Sequence, residues 1–327
     1  MAAQPDASIF HRAAWAKALS QTYGFKPVYL TAVCDPQTVA ALPLMEVDSW
    51  LTGKRGVSLP FTDECGPLSL SETFVAPLVQ EALRLGRERG WQYLELRGGT
   101  KLFNDAAPSI SFHGHQLPLS PATDSLFARF DSSVRRALRK SEKSGVQIEF
   151  SRTLPATSDY YTLHCQTRQE HGLPPQPFNF FRRLHEHILA AGLGVIVTAR
   201  LQDRPVAAAI FFQHGRKAIY KFGASLKAAL DTRANNLVMW EAIKWLAAKG
   251  VKELSFGRTS IHNEGLRRYK LGWGTEESVI NYYRYDFRKA ALVTMNDEAV
   301  GWHNTLFRAL PVSLARCAGE ILYRHVA

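Results

Sequence analysis

The residues best placed to do chemistry lie in the short stretch NEGLRRYKLGWG, Asn263 to Gly274. Asn263 is a good helix cap, Glu264 puts an acid in the first turn, and Gly272 and Gly274 stop the helix. Leu266, Tyr269, Lys270 and Trp273 follow i, i+3, i+4, i+7 spacing and share one face. Three of the four are large and apolar or aromatic, and the fourth is a lysine. A lysine held in a dry pocket stabilises an oxyanion strongly. A lysine lying along apolar surface carries its ammonium out to water instead. Spacing alone leaves both readings open.

Other candidates are ionic. In DSSVRRALRKSEKSG, Asp131 caps a helix whose inward stripe is Val134, Ala137, Leu138 and Ser141. Arg135, Arg136, Arg139, Lys140 and Lys143 cover the rest, with Glu142 as the acidic neighbour. Arg135, Arg136 and Arg139 are candidates for phosphate contacts, against the alternative of a solvated face. A second anion site is expected where RANNLVMWEAIKW opens a helix, with Arg233 just before its free N–H groups. The loop from Gly56 to Pro67 carries Asp63, Glu64 and Cys65, and reads either as a groove lining or as a surface turn, the latter favoured.

Metal and cysteine chemistry are not expected. His164 and His171 lie seven apart, and His185 and His187 two apart, so neither pair has the spacing of a helical zinc site. Cys165 adjoins His164, but adjacent helical residues diverge and cannot pair. The four cysteines form no C-x-x-C pair, which argues for reduced thiols. A formal charge of +11 favours anionic partners: nucleic acid, phosphorylated cofactors, diphosphate-linked precursors or the membrane surface. The first residues do not read as a signal peptide and no apolar run is long enough to span a bilayer. A cytoplasmic location is expected, with the inner membrane face as an option. The tail from Trp302 mixes Leu, Phe and Ile with Arg308, Arg316 and Arg324 and is broken by Pro311. Packing onto the body is expected, with an interfacial membrane helix as the alternative.

These residues need elements to hold them, and the elements recur. FHRAAWAKALSQTYG reads as a helix, followed by a hairpin turning at Asp35-Pro36-Gln37. FFRRLHEHILAAG reads as a helix, followed by a hairpin turning at Gln202-Asp203-Arg204. Further on, a helix from about Ser71 to Gly90 leads to the strand WQYLELRGGT, and one from about Asn235 to Gly250 leads to VKELSFGRTS. Two copies of one α/β unit account for this. The second copy runs hairpin, strand, helix, strand, helix, strand. That order is similar to the N-acyltransferase fold known as GNAT, whose chemistry sits where two central parallel strands splay apart. Here those strands are Ala218–Ala224 and Glu253–Arg258.

The stretches SSVRRALRKSEKSGV, RPVAAAIFF, IYKFGAS, NNLVMWEAI, LSFGRTS and NEGLRRYKLGWG together resemble the FemAB-like branch of the GNAT superfamily, related to the peptidoglycan-bridge aminoacyltransferases. The resemblance implies an α/β (α+β) chain of two tandem GNAT-like domains, each a mixed twisted sheet flanked by helices. Residues 1–125 would form the first, 126–290 the second, catalytic one, and 291–327 a helical tail. It also implies an N-acyltransferase acting on an amine of a peptidoglycan- or exopolysaccharide-related envelope precursor. No bound cofactor or metal is implied; the co-substrate is aminoacyl-tRNA, or acyl-CoA in an alternative N-acetyltransferase of a sugar or small amine. An alternative of another class is a non-catalytic module that binds polyanions.

The family's aromatic–Lys pair corresponds to Tyr269 and Lys270, implicated in stabilising the tetrahedral intermediate. Tyr220, Arg258, Asn236 and Trp273 are the expected substrate contacts, and Arg135, Arg136, Arg139 and Arg233 the expected phosphate contacts. Two departures are visible. The coiled-coil arm of the bridge-forming enzymes is missing. Acetyl-CoA enzymes of this fold have an Arg/Gln-x-x-Gly-x-Gly/Ala loop, whereas this chain has Arg233-Ala234-Asn235-Asn236-Leu237-Val238 and lacks both small positions.

Overall fold

A computed structural model describes residues 4–99, 102–103, 106–297 and 303–326; the first three residues, Thr100 and Trp302 are among those outside it. In chain order the elements are α1 (Ala13–Tyr23), β1 (Lys26–Cys34), β2 (Gln37–Ser49), β3 (Gly53–Val57), β4 (Leu68–Ser69), α2 (Val75–Glu88), β5 (Tyr93–Arg97) and β6 (Ile110–Pro118). Then come α3 (Thr123–Arg129), α4 (Ser132–Glu142), β7 (Gln147–Ser151), α5 (Leu154–Glu170), α6 (Phe178–Leu184), β8 (Gly194–Leu201), β9 (Arg204–His214), β10 (Lys217–Ser225) and α7 (Ala234–Ala248). The chain closes with β11 (Glu253–Ser260), α8 (Glu264–Leu271), β12 (Glu276–Asp286), β13 (Ala291–Leu292), α9 (His303–Ala309) and α10 (Val312–Leu322), the last two separated at Pro311. Among the described residues no helix is long and apolar enough to cross a membrane.

Two compact units emerge. The first comprises Met1–His113, Val279–Glu298 and Ile321–Ala327; the second comprises Gly114–Ser278 and Ala299–Glu320. Both are discontinuous in sequence, so neither coincides with the linear segments 1–125, 126–290 and 291–327. The cause is an exchange of strands. Most of β12, which follows β11 and α8, lies antiparallel to β5 in the first unit, while the end of β6 joins the second unit beside β11.

Each unit repeats one pattern. In the first, β1 and β2 form a hairpin, β3 pairs antiparallel with β2, and Arg55–Val57 of β3 pair parallel with Tyr93–Glu95 of β5. In the second, β8 and β9 form the hairpin, β10 pairs antiparallel with β9, and Lys217–Ile219 of β10 pair parallel with Glu253–Ser255 of β11. The hairpin turn of the second unit holds Gln202 and Asp203 at positive φ, 49° and 62°, the geometry of a tight two-residue turn. α2 and α7 occupy equivalent places before β5 and β11. The apolar α7 sequence ANNLVMWEAIKWLAA is buried on most sides, Val238, Met239, Ile243 and Leu246 packing into the core of the second unit.

Pairing of β10 with β11 stops after three residues, although β10 runs on to Ser225 and β11 to Ser260. The expected splay is therefore present, and a register shift between Tyr220 and Phe222 marks its start on β10.

The first unit carries a buried ionic cluster instead. Glu95, 1% exposed, accepts hydrogen bonds from Arg97 Nε (2.8 Å) and Arg284 Nη2 (2.5 Å). The Arg284 guanidinium also covers the Tyr93 ring at 4.3 Å. Burial alone would raise the Glu95 carboxyl, but the Arg97 and Arg284 guanidiniums outweigh it and hold the pKa below its ordinary value. A carboxyl depressed on folding contributes stability above its unfolded pKa, about 4.3, and loses it as pH falls through the folded value. Urea unfolding midpoints should thus decline below about pH 4.3, and Glu95→Gln should make that decline shallower. An unchanged pH slope in the variant would show that Glu95 contributes nothing to it.

Candidate donor groove and acyl cavity

α8 starts as its sequence dictates: Asn263 Oδ1 accepts the Leu266 N–H at 3.0 Å. Lys270, 4% exposed, reaches back to the splayed half of β11. Its Nζ donates to the carbonyls of Gly257 and Arg258, each at 3.0 Å. The amine is therefore turned inward and does not snorkel to water. Tyr269 is half-buried, and burial pushes its phenol up to about 12. Trp273 is fully buried, edge-on to Phe130 at 5.1 Å in the core of the second unit. Leu266, expected on the buried face, is 37% exposed, because the short helix turns its first residues towards solvent.

Two concavities meet beside Tyr269. The first, about 130 Å³, lies between β9, β10 and α7. Ala207–Ala209, Gly223 and Ala224 line it with Tyr220, Val238 and Met239; Thr167, Ser225, Asn235 and Tyr269 complete the wall, and no charged side chain takes part. Burial raises the Tyr220 phenol above its ordinary value. The second, about 490 Å³, is a cationic groove lined by Arg136 and Lys140 of α4, Arg233, and Arg268 of α8, together with Asn235, Asn236 and Tyr269. Asn235 and Tyr269 belong to both.

The groove cations lack ion-pair partners among the described residues. Arg136 donates only to Ser132 Oγ (3.1 Å) and Arg268 to the Glu264 carbonyl (3.4 Å). Some neighbouring surface arginines are paired instead: Arg267, the next residue along, bridges Glu277 and Glu264, and Arg200 bridges Glu149 and Asp159. Four unmatched cations on one concave face create a positive potential that attracts anions.

The α7 N-terminus is not the open anion site its sequence suggests. Arg233 adopts a left-handed conformation (φ 58°), and its carbonyl accepts the N–H groups of Asn236 (2.9 Å) and Leu237 (3.3 Å). Thr232 Oγ1 accepts from Ala234 N (3.3 Å). The Leu237 bond is the ordinary first bond of the helix; of the N–H groups a helix leaves open at 234–236, those of Ala234 and Asn236 are engaged internally, and the charges lining the groove are side-chain cations.

The expected site residues separate accordingly. Tyr220 and Tyr269 line the cavity, and Asn236, Arg136 and Arg233 the groove. Arg135 and Arg139 sit on another face of α4, and neither they nor Arg258, Lys270 and Trp273 line either concavity. Lys140, Arg268, Asn235 and Thr167 join the site without having been singled out. Helical phase could have found one of them: Ser133, Arg136, Ala137 and Lys140 repeat the i, i+3, i+4, i+7 pattern that Arg135 and Arg139 break.

Neither buried thiol nor imidazole is set up for catalysis. His164 is held between Tyr160 and Gln176, and burial drives its pKa down to about 3, so it stays neutral. Burial likewise raises the thiols of Cys165 and Cys65. The loop from Gly56 to Pro67, expected as a surface turn, is anchored inward: the Cys65 N–H donates to the Arg97 carbonyl (2.7 Å) and Tyr282 donates its hydroxyl to the Asp63 carbonyl (2.6 Å). Leu59, Thr62 and Cys65 on it are buried.

The fold has counterparts among known proteins. Residues 128–282 match the family model of the acetyltransferase (GNAT) domain. No curated protein matches the chain by sequence. Among solved structures, FemX superposes with a TM-score of 0.66 at 12% identity, over 88% of this chain and 94% of its own. L-PGS from Bacillus licheniformis gives 0.53 at 10% identity, over 93% and 97%. A tandem GNAT protein from the clavulanic acid biosynthesis pathway gives 0.52 at 11%, over 88% and 89%. Residues 128–282 are thus an acyltransferase domain of the GNAT family, carried in a chain with the tandem GNAT fold.

Proposed function

We propose that the protein transfers an aminoacyl group from tRNA to an amine of a diphosphate-linked envelope precursor, in the cytoplasm. The observation that carries this reading is the junction of groove and cavity at Asn235 and Tyr269. A donor with phosphates on one side of its reactive carbonyl and a compact acyl group on the other fits that layout. RNA is favoured over coenzyme A because the groove offers side-chain cations, whereas the backbone N–H groups that would wrap a pyrophosphate are engaged. The acceptor class comes from the resemblance to peptidoglycan-bridge aminoacyltransferases.

In the reaction the acceptor nitrogen attacks the ester carbonyl and the tetrahedral oxyanion collapses. The C–O bond to the ribose breaks, the amide forms, and the ribose hydroxyl takes up the proton that the amine loses. Tyr269 walls the junction, and Lys270, whose Nζ is held by the Gly257 and Arg258 carbonyls outside it, would have to turn from them to meet the oxyanion. Binding of tRNA and of acetyl-CoA, measured by anisotropy and thermal shift between 50 and 200 mM salt (a range over which four phosphate contacts weaken binding by roughly 10²-fold), tests the donor. Salt-sensitive tRNA binding is expected. Stabilisation by acetyl-CoA with no tRNA binding would overturn the RNA reading in favour of an acyl-CoA enzyme.

A further inference from the structure

We propose that the turn between β2 and β3, braced by the C-terminal residues, is a wedge that seats the protein on an anionic phospholipid surface. The inference stands apart from the donor reading above and concerns the first unit alone.

Turns between strands are normally built from Gly, Asn, Asp or Ser. Here Ser49 pairs with Gly53, and the loop between them is Trp50-Leu51-Thr52. Trp50 is 85% exposed, more than any other large apolar side chain among the described residues, and Leu51 is 55% exposed. Beside them lies the end of the chain. His325 is buried and sets its ring edge-on to Trp50 at 5.3 Å, while its neighbours Arg324 and Val326 are exposed.

The polar groups of the loop turn inward. Ser49 Oγ accepts the N–H groups of Leu51 (3.2 Å) and Thr52 (2.9 Å) and lies 2.9 Å from His325 Nδ1. The Thr52 hydroxyl donates to the His325 carbonyl (2.6 Å), which also accepts from Nη2 of the buried Arg55 (2.7 Å). Arg55 Nη1 donates to Thr52 Oγ1 (2.7 Å), closing the brace. Water would satisfy these groups. Hydrocarbon satisfies no N–H or hydroxyl, so a loop that enters a bilayer has to bring its partners with it.

Charge and area choose the occupant. Lys26, Lys54 and Arg89 converge on the one Glu46 carboxylate within 3.9 Å. With Arg324 on the tail, cations exceed Glu46 and Asp48 at the base of this hairpin, which suits a surface of anionic lipid. Tryptophan itself prefers the headgroup layer, where its ring is buried and its N–H stays wet. A second copy of the chain fits less well. A stable dimer buries roughly 800 Å² on each partner. One Trp, one Leu and one Val fall short of that, since even the largest side chains bury about 150–250 Å² each.

The test uses the full chain and vesicles of phosphatidylcholine, alone or mixed with phosphatidylglycerol, with no donor or acceptor present. Co-sedimentation should show binding to the mixed vesicles. Trp50→Ala and Leu51→Ser should each weaken it about tenfold, the factor that burying one large apolar side chain supplies. Arg324→Gln should weaken it roughly fivefold at low salt. Lipids brominated on their tails should quench the wild-type tryptophan emission, and Trp50→Phe, which leaves the other tryptophans in place, should abolish that quenching. Wild-type protein that ignores both kinds of vesicle would overturn the wedge, as would Trp50→Ala protein that binds as the wild type does. So would a concentration-dependent dimer in sedimentation velocity that Trp50→Ala dissolves, since a second copy would then cover the tip.

Discussion

Lys270→Met should lower acyl transfer by about 10²–10³-fold, the usual loss when one oxyanion-stabilising group is removed, provided its ammonium turns from the two carbonyls to the junction during the reaction. Methionine keeps most of the side-chain volume and removes the charge. The same change strips the Gly257 and Arg258 carbonyls of a buried donor, and each abandoned acceptor costs about 1–3 kcal/mol. Stability should therefore fall as well, by about 2–4 kcal/mol for the pair after partial relaxation. The two effects are separable. Urea unfolding gives the stability loss, and single-turnover rates at saturating donor, well below the unfolding midpoint, give the chemical one. A destabilised variant with an unchanged rate would reduce Lys270 to a strap between α8 and β11. A variant with native stability would refute the hydrogen-bonding role itself.

The lysine shows what a sequence conveys and where it stops. Four positions at helical spacing identified the face bearing Lys270, and the Asn263 cap identified where the helix begins. Both depend on contacts within one turn of chain. Leu266, on the same stripe, is 37% exposed and Trp273 is wholly buried, because α8 spans only eight residues and packs through its C-terminal end. The partners of the Lys270 ammonium, two carbonyls on a strand thirteen and twelve residues earlier, depend on how β11 parts from β10. No local pattern encodes that.

The same distinction holds at larger scale. The hairpins, the α7 helix and the splayed strands were legible because alternation and 3.6-residue periodicity are local signals. The exchange of β6 and β12 was not, since both are ordinary strands and their partners are decided by packing. Arg233 illustrates a third kind of limit. Its position before α7 was visible, but its left-handed backbone and the engagement of the Asn236 and Ala234 N–H groups beside it were not. For a non-glycine residue that conformation costs about 1 kcal/mol, so surrounding structure has to impose it. With two of the open N–H groups engaged, the proposed RNA donor rests on the side-chain cations of the groove.

Removing the groove charges should have the largest effect on donor binding. Arg136→Ala, Lys140→Ala and Arg268→Ala together delete three cations that have no acidic partner among the described residues, so no ion pair within the fold is sacrificed. Each contact to a single-stranded phosphate contributes roughly 0.7 to the slope of log K against log salt concentration. The triple variant should lose about 2 from that slope and bind tRNA about 10²-fold or more weakly at moderate salt. Arg135→Ala with Arg139→Ala, on the face of α4 turned away from the groove, should change the slope by well under one unit. Fluorescence anisotropy across a salt series measures both. The paired comparison matters because simple loss of positive charge would weaken binding from either face. Equal slopes for the groove variant and the off-groove variant would mean that RNA tracks the whole basic helix, and the groove would lose its place as the donor site.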